Sequence, residues 1–170
     1  MFKKVFKLFW AWQDDKEEQW LQAMGEKGWA LRHYNTGFYT FEKIKPTKYI
    51  YKLDYKTTRN SDMEEYVGIF EDSGWEHCAQ YLGWHYFRTP AEGAKTPDIY
   101  SDTASKAHKY NSLATVLYLV LAMLVTLFIT VLLRVDYESI NIMRGIYVVL
   151  IGFTITGILR LKGKARKLSE

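Results

Sequence analysis

Twenty-one residues from Leu113 to Leu133, LATVLYLVLAMLVTLFITVLL, pass without a charge. At about 1.5 Å of rise per residue, a helix of this length measures roughly the 30 Å of a bilayer's hydrocarbon core. A soluble helix so long shows a polar face, whereas this one is apolar all round. The other home for it is the core of a large domain. A chain of 170 residues leaves little protein to bury it in. The stretch therefore predicts a first transmembrane helix over 113–133, and the rest of the chain is read around it.

A weaker apolar run follows. Gly145 to Leu159 is uncharged, and Ile140, Ile142, Met143 and Leu161 lengthen it. Arg144 and Arg160 can snorkel to the two interfaces. A second transmembrane helix over 142–161 is expected, with a re-entrant segment as the alternative. The connection from Arg134 to Asn141 is too short for a domain, so the two helices should form a hairpin. Ala122, Thr126 and Thr130 lie four apart on the first, as do Gly152 and Thr156 on the second. Small residues at that spacing let helix backbones approach, so these five are the expected packing contact.

Charge supports this placement and argues against nucleic acid. Residues 1–112 hold 16 basic and 16 acidic residues, and residues 113–170 hold seven and three. The whole excess of +4 lies in the second part, mostly in a basic tail over 162–170. Basic clusters beside a span favour the cytosolic side. Lys106 and Lys109 precede the first span, so both termini are expected in the cytosol. Nucleic-acid binding would want a basic stripe on the folded domain, which has no net charge to offer. The N-terminal run MFKKVFKLFWAW reads as a strand rather than a signal peptide, being short, interrupted by Lys7 and followed by Asp14-Asp15. Cys78 is the one cysteine, which rules out an internal disulfide and suits a reducing compartment.

Residues 1–90 repeat with an offset of 46. Gly28-Trp29 matches Gly74-Trp75, and Gly37, Phe38 and Phe41 match Gly83, Trp84 and Phe87. Asp15, Glu18, Trp20, Leu21 and Met24 match Ser61, Glu64, Tyr66, Val67 and Phe70. Each copy, about 1–45 and 46–90, must then be read alike. An extended run opens each, at about Lys3–Trp12 and at Lys48–Lys56, where Tyr49, Tyr51, Leu53 and Tyr55 alternate with polar or charged residues except at Ile50. A helix follows, with Asp15 or Ser61 as expected N-cap and Glu18 or Glu64 completing a capping box. Gly28 or Gly74 ends it. A hairpin turning at Gly37 or Gly83 closes the copy. The expectation is an α+β domain over 1–90, in which duplicated β-α-β-β units form an antiparallel sheet with helices on one face. A linker over 91–112 joins it to the two-helix transmembrane hairpin, and Ser101 to Ser112 could carry the first apolar helix back into the linker.

No motif for catalysis appears: no phosphate loop, no Gly-x-Ser-x-Gly and no His-Glu-x-x-His. No catalytic residue, metal or cofactor is expected. His77, Cys78 and His85 form the one metal-like group, and His77 and Cys78 as strand neighbours point to opposite faces. Glu17, Glu18, Glu64 and Glu65 fit capping and the helix dipole. The aromatic load is the distinctive feature: residues 1–112 hold all six Trp, ten of 13 Tyr and seven of nine Phe. Trp29, Trp75, Trp84, Tyr39, Tyr51 and Tyr86 are the candidates for a ligand- or partner-binding face, against plain aromatic packing.

These stretches resemble the DUF2812 proteins of Gram-positive bacteria. The likeness rests on Lys16-Glu-Glu-Gln-Trp-Leu-Gln-Ala-Met-Gly-Glu-Lys-Gly-Trp29, on Phe38-Tyr-Thr-Phe-Glu42, on Tyr49 to Tyr55 and on Gly74-Trp75. It implies no catalytic residues; members are often followed by two spans and encoded beside PadR-like regulators. The element order is also similar to the GyrI-like small-molecule-binding module, which would want a buried acid, with Glu42 and Asp54 as the strand candidates. The resulting expectation is a membrane-anchored, non-enzymatic sensor or adaptor. Its partners would be the lipid bilayer and a small hydrophobic ligand or a membrane protein. The alternative is an assembly subunit without a small-molecule ligand.

Overall fold

The structure is a computed structural model. It describes residues 1–57, 60–91, 98–100, 103–132, 134–135 and 140–169, with the side chains of residues 60 and 61 outside the description. The chain divides into two compact units, Met1–Ser101 and Asp102–Glu170.

The first unit carries β1 (Phe2–Phe6), α1 (Asp14–Glu26), β2 (Trp29–Asn35) and β3 (Phe38–Lys43), then β4 (Tyr49–Tyr55), α2 (Asn60–Asp72), β5 (Glu76–Tyr81) and β6 (Trp84–Pro90). The β-α-β-β order thus occurs twice. The antiparallel pairing makes two three-stranded sheets, β1-β3-β2 and β4-β6-β5, rather than one. In both, the last strand of the copy lies in the centre. The helix between the two outer strands makes each copy a split β-α-β unit closed by a hairpin.

The repeat extends to backbone detail. Thr36-Gly37 and Leu82-Gly83 have φ of 42° and 81°, and of 46° and 83°. Two consecutive positive values match the right-handed twist of a hairpin, and glycine reaches the second without strain. The β2 pairing with β3 slips between Leu31 and His33, and the β5 pairing with β6 slips between His77 and Ala79. Arg32 and Cys78, 46 residues apart, are therefore equivalent bulge positions.

Two cores result. The larger joins Leu21 and Met24 of α1 to Leu31, Tyr39 and Phe41 of the first sheet and Tyr51, Leu53, Ala79 and Tyr86 of the second. The smaller packs Tyr66 of α2 and Trp75 against Ile50 and Phe87, with Ile99. Strand alternation explains the division, because Tyr51 and Tyr86 point to one face of the second sheet and Ile50 and Phe87 to the other. That sheet is consequently covered on both faces. The face of the first sheet carrying Phe2, Lys4, Phe6, Phe38 and Glu42 is the partly open one, with Phe2, Phe6 and Phe38 more than half exposed.

The helix starts differ from expectation. The N-cap of α1 is Gln13, without a side-chain capping bond, and Asp15 lies inside the helix. Glu18 leaves the capping role because its carboxylate turns to β4. The Ser61 cap falls on a side chain outside the description.

In the second unit, α3 (Thr103–Leu127) continues through a π-helical turn at Phe128–Leu132, and α4 runs Ile140–Lys167. Both are long and apolar enough to cross a membrane, with mean hydropathy of 2.6 and 1.9 over their most apolar windows. The expected extension into the linker is present from Thr103. Arg144 closes the far end of the hairpin. Its Nε and Nη2 donate to the Leu132 and Val135 carbonyls at 2.8 and 2.9 Å, and its Nη1 to Asn141 Oδ1 at 2.9 Å. The Leu132 carbonyl is one that a helix end leaves without an internal donor, and Val135 lies in the connection beyond it.

Candidate functional site

The buried stripe of α1 is Asp14, Glu17, Glu18, Leu21, Met24 and Gly25. The steps of three and four are helical, but the first half of the stripe is acidic. Glu17 Oε1 accepts from Tyr39 Oη at 2.6 Å and from Tyr86 Oη at 2.8 Å. One tyrosine comes from the centre of each sheet, so the carboxylate joins the two copies. Tyr34 packs tilted against both, with ring centroids 4.6 Å from Tyr39 and 5.3 Å from Tyr86. Trp20 closes the same cluster edge-on to Tyr39 at 4.7 Å. Burial pushes the Glu17 carboxyl above its ordinary value of 4.5; the two tyrosine hydroxyls pull it back, and Asp14 and Glu18 push it further up. Burial, with the Glu17 charge next, pushes both Tyr39 and Tyr86 upward.

Glu18 does a different job. Its Oε1 accepts the Leu53 backbone N–H at 2.9 Å and its Oε2 the Lys52 ammonium at 3.1 Å. Strand β4 pairs only with β6, so its outer edge would otherwise leave that N–H open. Burial, the largest single influence, would lower Lys52, but the Glu18 charge and hydrogen bond together with the Asp98 and Asp15 charges leave the ammonium raised. The edge of β2 is sealed in the same way from the other copy. Leu31 N–H donates to Tyr51 Oη at 3.2 Å, and Arg88 Nη1 donates to the Leu31 carbonyl at 3.1 Å. Arg88 is held in turn by a two-point pair with Glu76, at 2.6 and 2.8 Å. Every buried side-chain nitrogen and oxygen among the described residues has a hydrogen-bond partner.

A second polar centre lies on the α2 side. Asp54 is 7 % exposed and accepts from Tyr66 Oη at 2.8 Å, from Tyr100 Oη and from the Tyr55 N–H. Next to it in register is His85, whose Nδ1 lies 3.3 Å from His77 Nε2 and whose Nε2 lies 3.1 Å from the Lys56 carbonyl. Burial lowers both imidazoles, and for His77 the neighbouring His85 adds to it. An open groove runs past this pair between α2 and β5. One part, about 390 Å³, is lined by Met63, Gln80, Tyr81, Leu82 and His85 among others. An adjoining part of about 320 Å³ adds Val67, Glu71 and His77.

The expected binding face is not assembled as one open surface. Tyr39, Tyr51 and Tyr86 are at most 2 % exposed and sit together in the larger core. Trp29 and Trp84 pack partly exposed against that core, Trp29 beneath the Lys43 and Lys3 ammonium groups at 4.7 and 5.5 Å. Trp75 is buried in the smaller core. Of the two acids expected on strands, Asp54 is buried and Glu42 lies outside, paired with Arg32 at 3.1 Å. Glu17, Glu18 and Arg88 were missed as site residues. The signal for the first two was their place on the stripe of Leu21 and Met24, which an apolar count overlooks.

The Cys78 thiol is pushed up to about 12 by burial, and its Sγ donates to the Tyr86 carbonyl at 3.3 Å. Such a thiol is not a nucleophile at neutral pH. Among the described residues no group of three His, Cys, Asp or Glu is placed to hold a metal ion.

The expected helix–helix contact is also displaced. Ala122, Thr126, Thr130, Gly152 and Thr156 are all exposed, and a Cβ on Gly152 would meet nothing within 4 Å. The buried residues of α3 are Ala107, Lys109, Tyr110, Leu113 and Ala114. Those of α4 are Ile140, Thr154, Gly157, Ile158, Leu161 and Ala165. Gly157, Leu161 and Ala165 do recur every four residues, so the stripe exists but lies one face round from the one read. Thr130 and Thr156 turn their hydroxyls to the carbonyls of Thr126 and Gly152 in their own helices, at 2.7 and 2.9 Å.

No curated protein and no solved structure matches this chain. The expected similarity to the GyrI-like module is not shown by either comparison. A protein-family model does match, described as a protein of unknown function, DUF2812, over residues 13–122. The match takes in the first copy from α1 onward, the whole second copy and most of α3, more than half of the 170 residues. Shared sequence over both copies and into the apolar helix makes this chain a member of the DUF2812 family.

Proposed function

We propose that the chain is a two-span membrane protein whose cytosolic α+β unit works as a non-enzymatic sensor or adaptor. Two apolar helices with largely exposed windows support the membrane assignment. Lys106 and Lys109, ahead of the apolar part of α3, and the basic residues after the apolar part of α4 favour cytosolic termini.

The observation that carries the sensing role is the groove between α2 and β5. It is open, it is partly apolar through Met63 and Val67, and it ends on two imidazoles held neutral by burial. A small hydrophobic molecule with one or two polar atoms fits that chemistry. It would bind next to Tyr66 and Asp54, which connect α2 to β4. Titration of the Met1–Ser101 unit with hydrophobic cations, lipids and envelope-active antibiotics tests this. A ligand that binds only the folded state raises the melting temperature in a saturable way. Val67→Trp, which fills the groove, should abolish that rise. The rise persisting in Val67→Trp would move the site elsewhere.

The burial of Tyr39, Tyr51, Tyr86 and Trp75 favours the second reading, an assembly subunit whose aromatics are core. On that reading no compound shifts the melting temperature, and the unit is instead recovered with a membrane partner.

A further inference from the structure

Two residues beyond the duplicated copies are built into the second one. Ile99 is 9 % exposed and sits in the smaller core with Ile50, Tyr66, Trp75 and Phe87, and Tyr100 packs against the same group. The Tyr100 hydroxyl donates to Asp54 Oδ1, while the Tyr66 hydroxyl of α2 donates to Oδ2 at 2.8 Å. One buried carboxylate on β4 thus fastens both a helix and a stretch of linker. The duplicated fold does not require it. At the equivalent positions of the first copy, 46 residues earlier, Leu8 stands for Asp54 and Trp20 for Tyr66. Tyr100 also lies close to the first apolar helix in the chain, with two residues between it and Thr103 at the start of α3.

This knot adjoins the groove. Met63, Tyr66, Val67 and Phe70 recur at steps of three and four, so they share one face of α2. Met63 and Val67 line the groove together with His77, Gln80 and His85 of the sheet. His85 is in turn the register partner of Asp54. A molecule lodged between α2 and β5 pushes the whole face of α2 outward. Tyr66 then withdraws its ring from the seat of Ile99 and its hydroxyl from Asp54. A buried carboxylate that loses a donor is costly, so the closed arrangement is weakened at both of its attachments.

We propose that Ile99 and Tyr100 form a latch, held on the second copy by Asp54, which an occupant of the α2–β5 groove releases, so that binding is reported to the chain entering α3. This rests on the reading of the groove as a ligand site. Reciprocity follows from linkage: whatever frees the latch also favours occupation of the groove.

Proteolysis supplies the test. Chymotrypsin needs an extended segment free of the fold, so it cuts after Tyr100 when the latch is open, and it accepts phenylalanine there as well. The full chain is kept in detergent micelles well below its melting temperature, and the fragment ending at residue 100 is followed by mass spectrometry. When opening and closing are fast, its rate of appearance measures the open population. Tyr100→Phe should speed the cut about tenfold, through loss of a hydrogen bond to a buried charge. Tyr66→Phe changes a side chain on α2, and Val67→Trp fills the groove in place of a ligand; each should speed the cut several-fold. These ratios should hold in low urea, about 1 M, because a local opening exposes little surface. A parent-like rate in any of the three variants overturns the latch, as do rates that climb with urea in step with global unfolding. A compound that raises the parent's melting temperature should also speed the cut; one that raises it and leaves the rate unchanged overturns the latch while the groove reading stands. Release in the variants, with no compound raising the melting temperature, overturns the groove reading and a ligand as the trigger.

Discussion

At the scale of single residues, Glu17 sets the terms. Its carboxyl is raised, so the folded state holds the proton more tightly than the unfolded state does. The stability linked to this group is therefore complete below about pH 4.5 and is lost as pH rises through the folded value. Glu17→Gln keeps an acceptor for both tyrosines and removes the charge. Its melting temperature should exceed the parent's at pH 8, with the difference closing toward pH 4; a constant difference would mean that the charge is not what costs. Tyr86→Phe should act in the other direction, lowering stability by about 1–3 kcal/mol because a buried carboxylate loses a donor. Little of this was legible beforehand. Leu21 and Met24 mark the face of α1, and Asp14, Glu17 and Glu18 continue it at the same spacing. Acids in a first helical turn ordinarily serve the dipole, so the pattern points to solvent. The tyrosines that reverse it lie 22 and 69 residues away, at a distance no local window covers.

At the scale of elements, the hairpins were the most legible part, because a turn is settled by a few adjacent residues. Gly37 and Gly83 fall where positive φ is needed. Leu82, like Thr36, is a non-glycine at positive φ, taking 46° with 76 % of its surface exposed. Leu82→Asn should stabilise the unit by about 0.5–1 kcal/mol, read from urea unfolding, since asparagine tolerates the left-handed region. The apolar helices show the opposite case. Their length and lack of charge are visible in sequence, but an all-apolar helix carries no contrast to say which stripe faces its neighbour. The contact therefore moved from Gly152 to Gly157. Gly157→Leu should weaken the hairpin by on the order of 1–3 kcal/mol through overpacking, whereas Gly152→Leu should stay within about 0.5 kcal/mol. Unfolding of the full chain in mixed micelles distinguishes the two; equal effects would return the contact to the earlier stripe.

At the scale of the molecule, the duplication was legible and its use was not. An offset of 46 residues suggests two like units side by side. What no repeat announces is that each copy finishes the other: Glu18 of the first seals β4 of the second, and Tyr51 and Arg88 of the second seal β2 of the first. Such trades need only edge positions and reach, which the alternation of a strand does not encode. They also bear on how the protein is made. While the first copy leaves the ribosome, α1 has apolar residues without a sheet and carboxylates without donors. Tyr86, the last donor to Glu17, and Arg88, which donates to the Leu31 carbonyl, are translated shortly before the apolar helix that begins at Thr103. The nascent chain thus reaches its most insoluble segment when its soluble half has only just become able to close, and whatever handles that segment meets a client that is still folding.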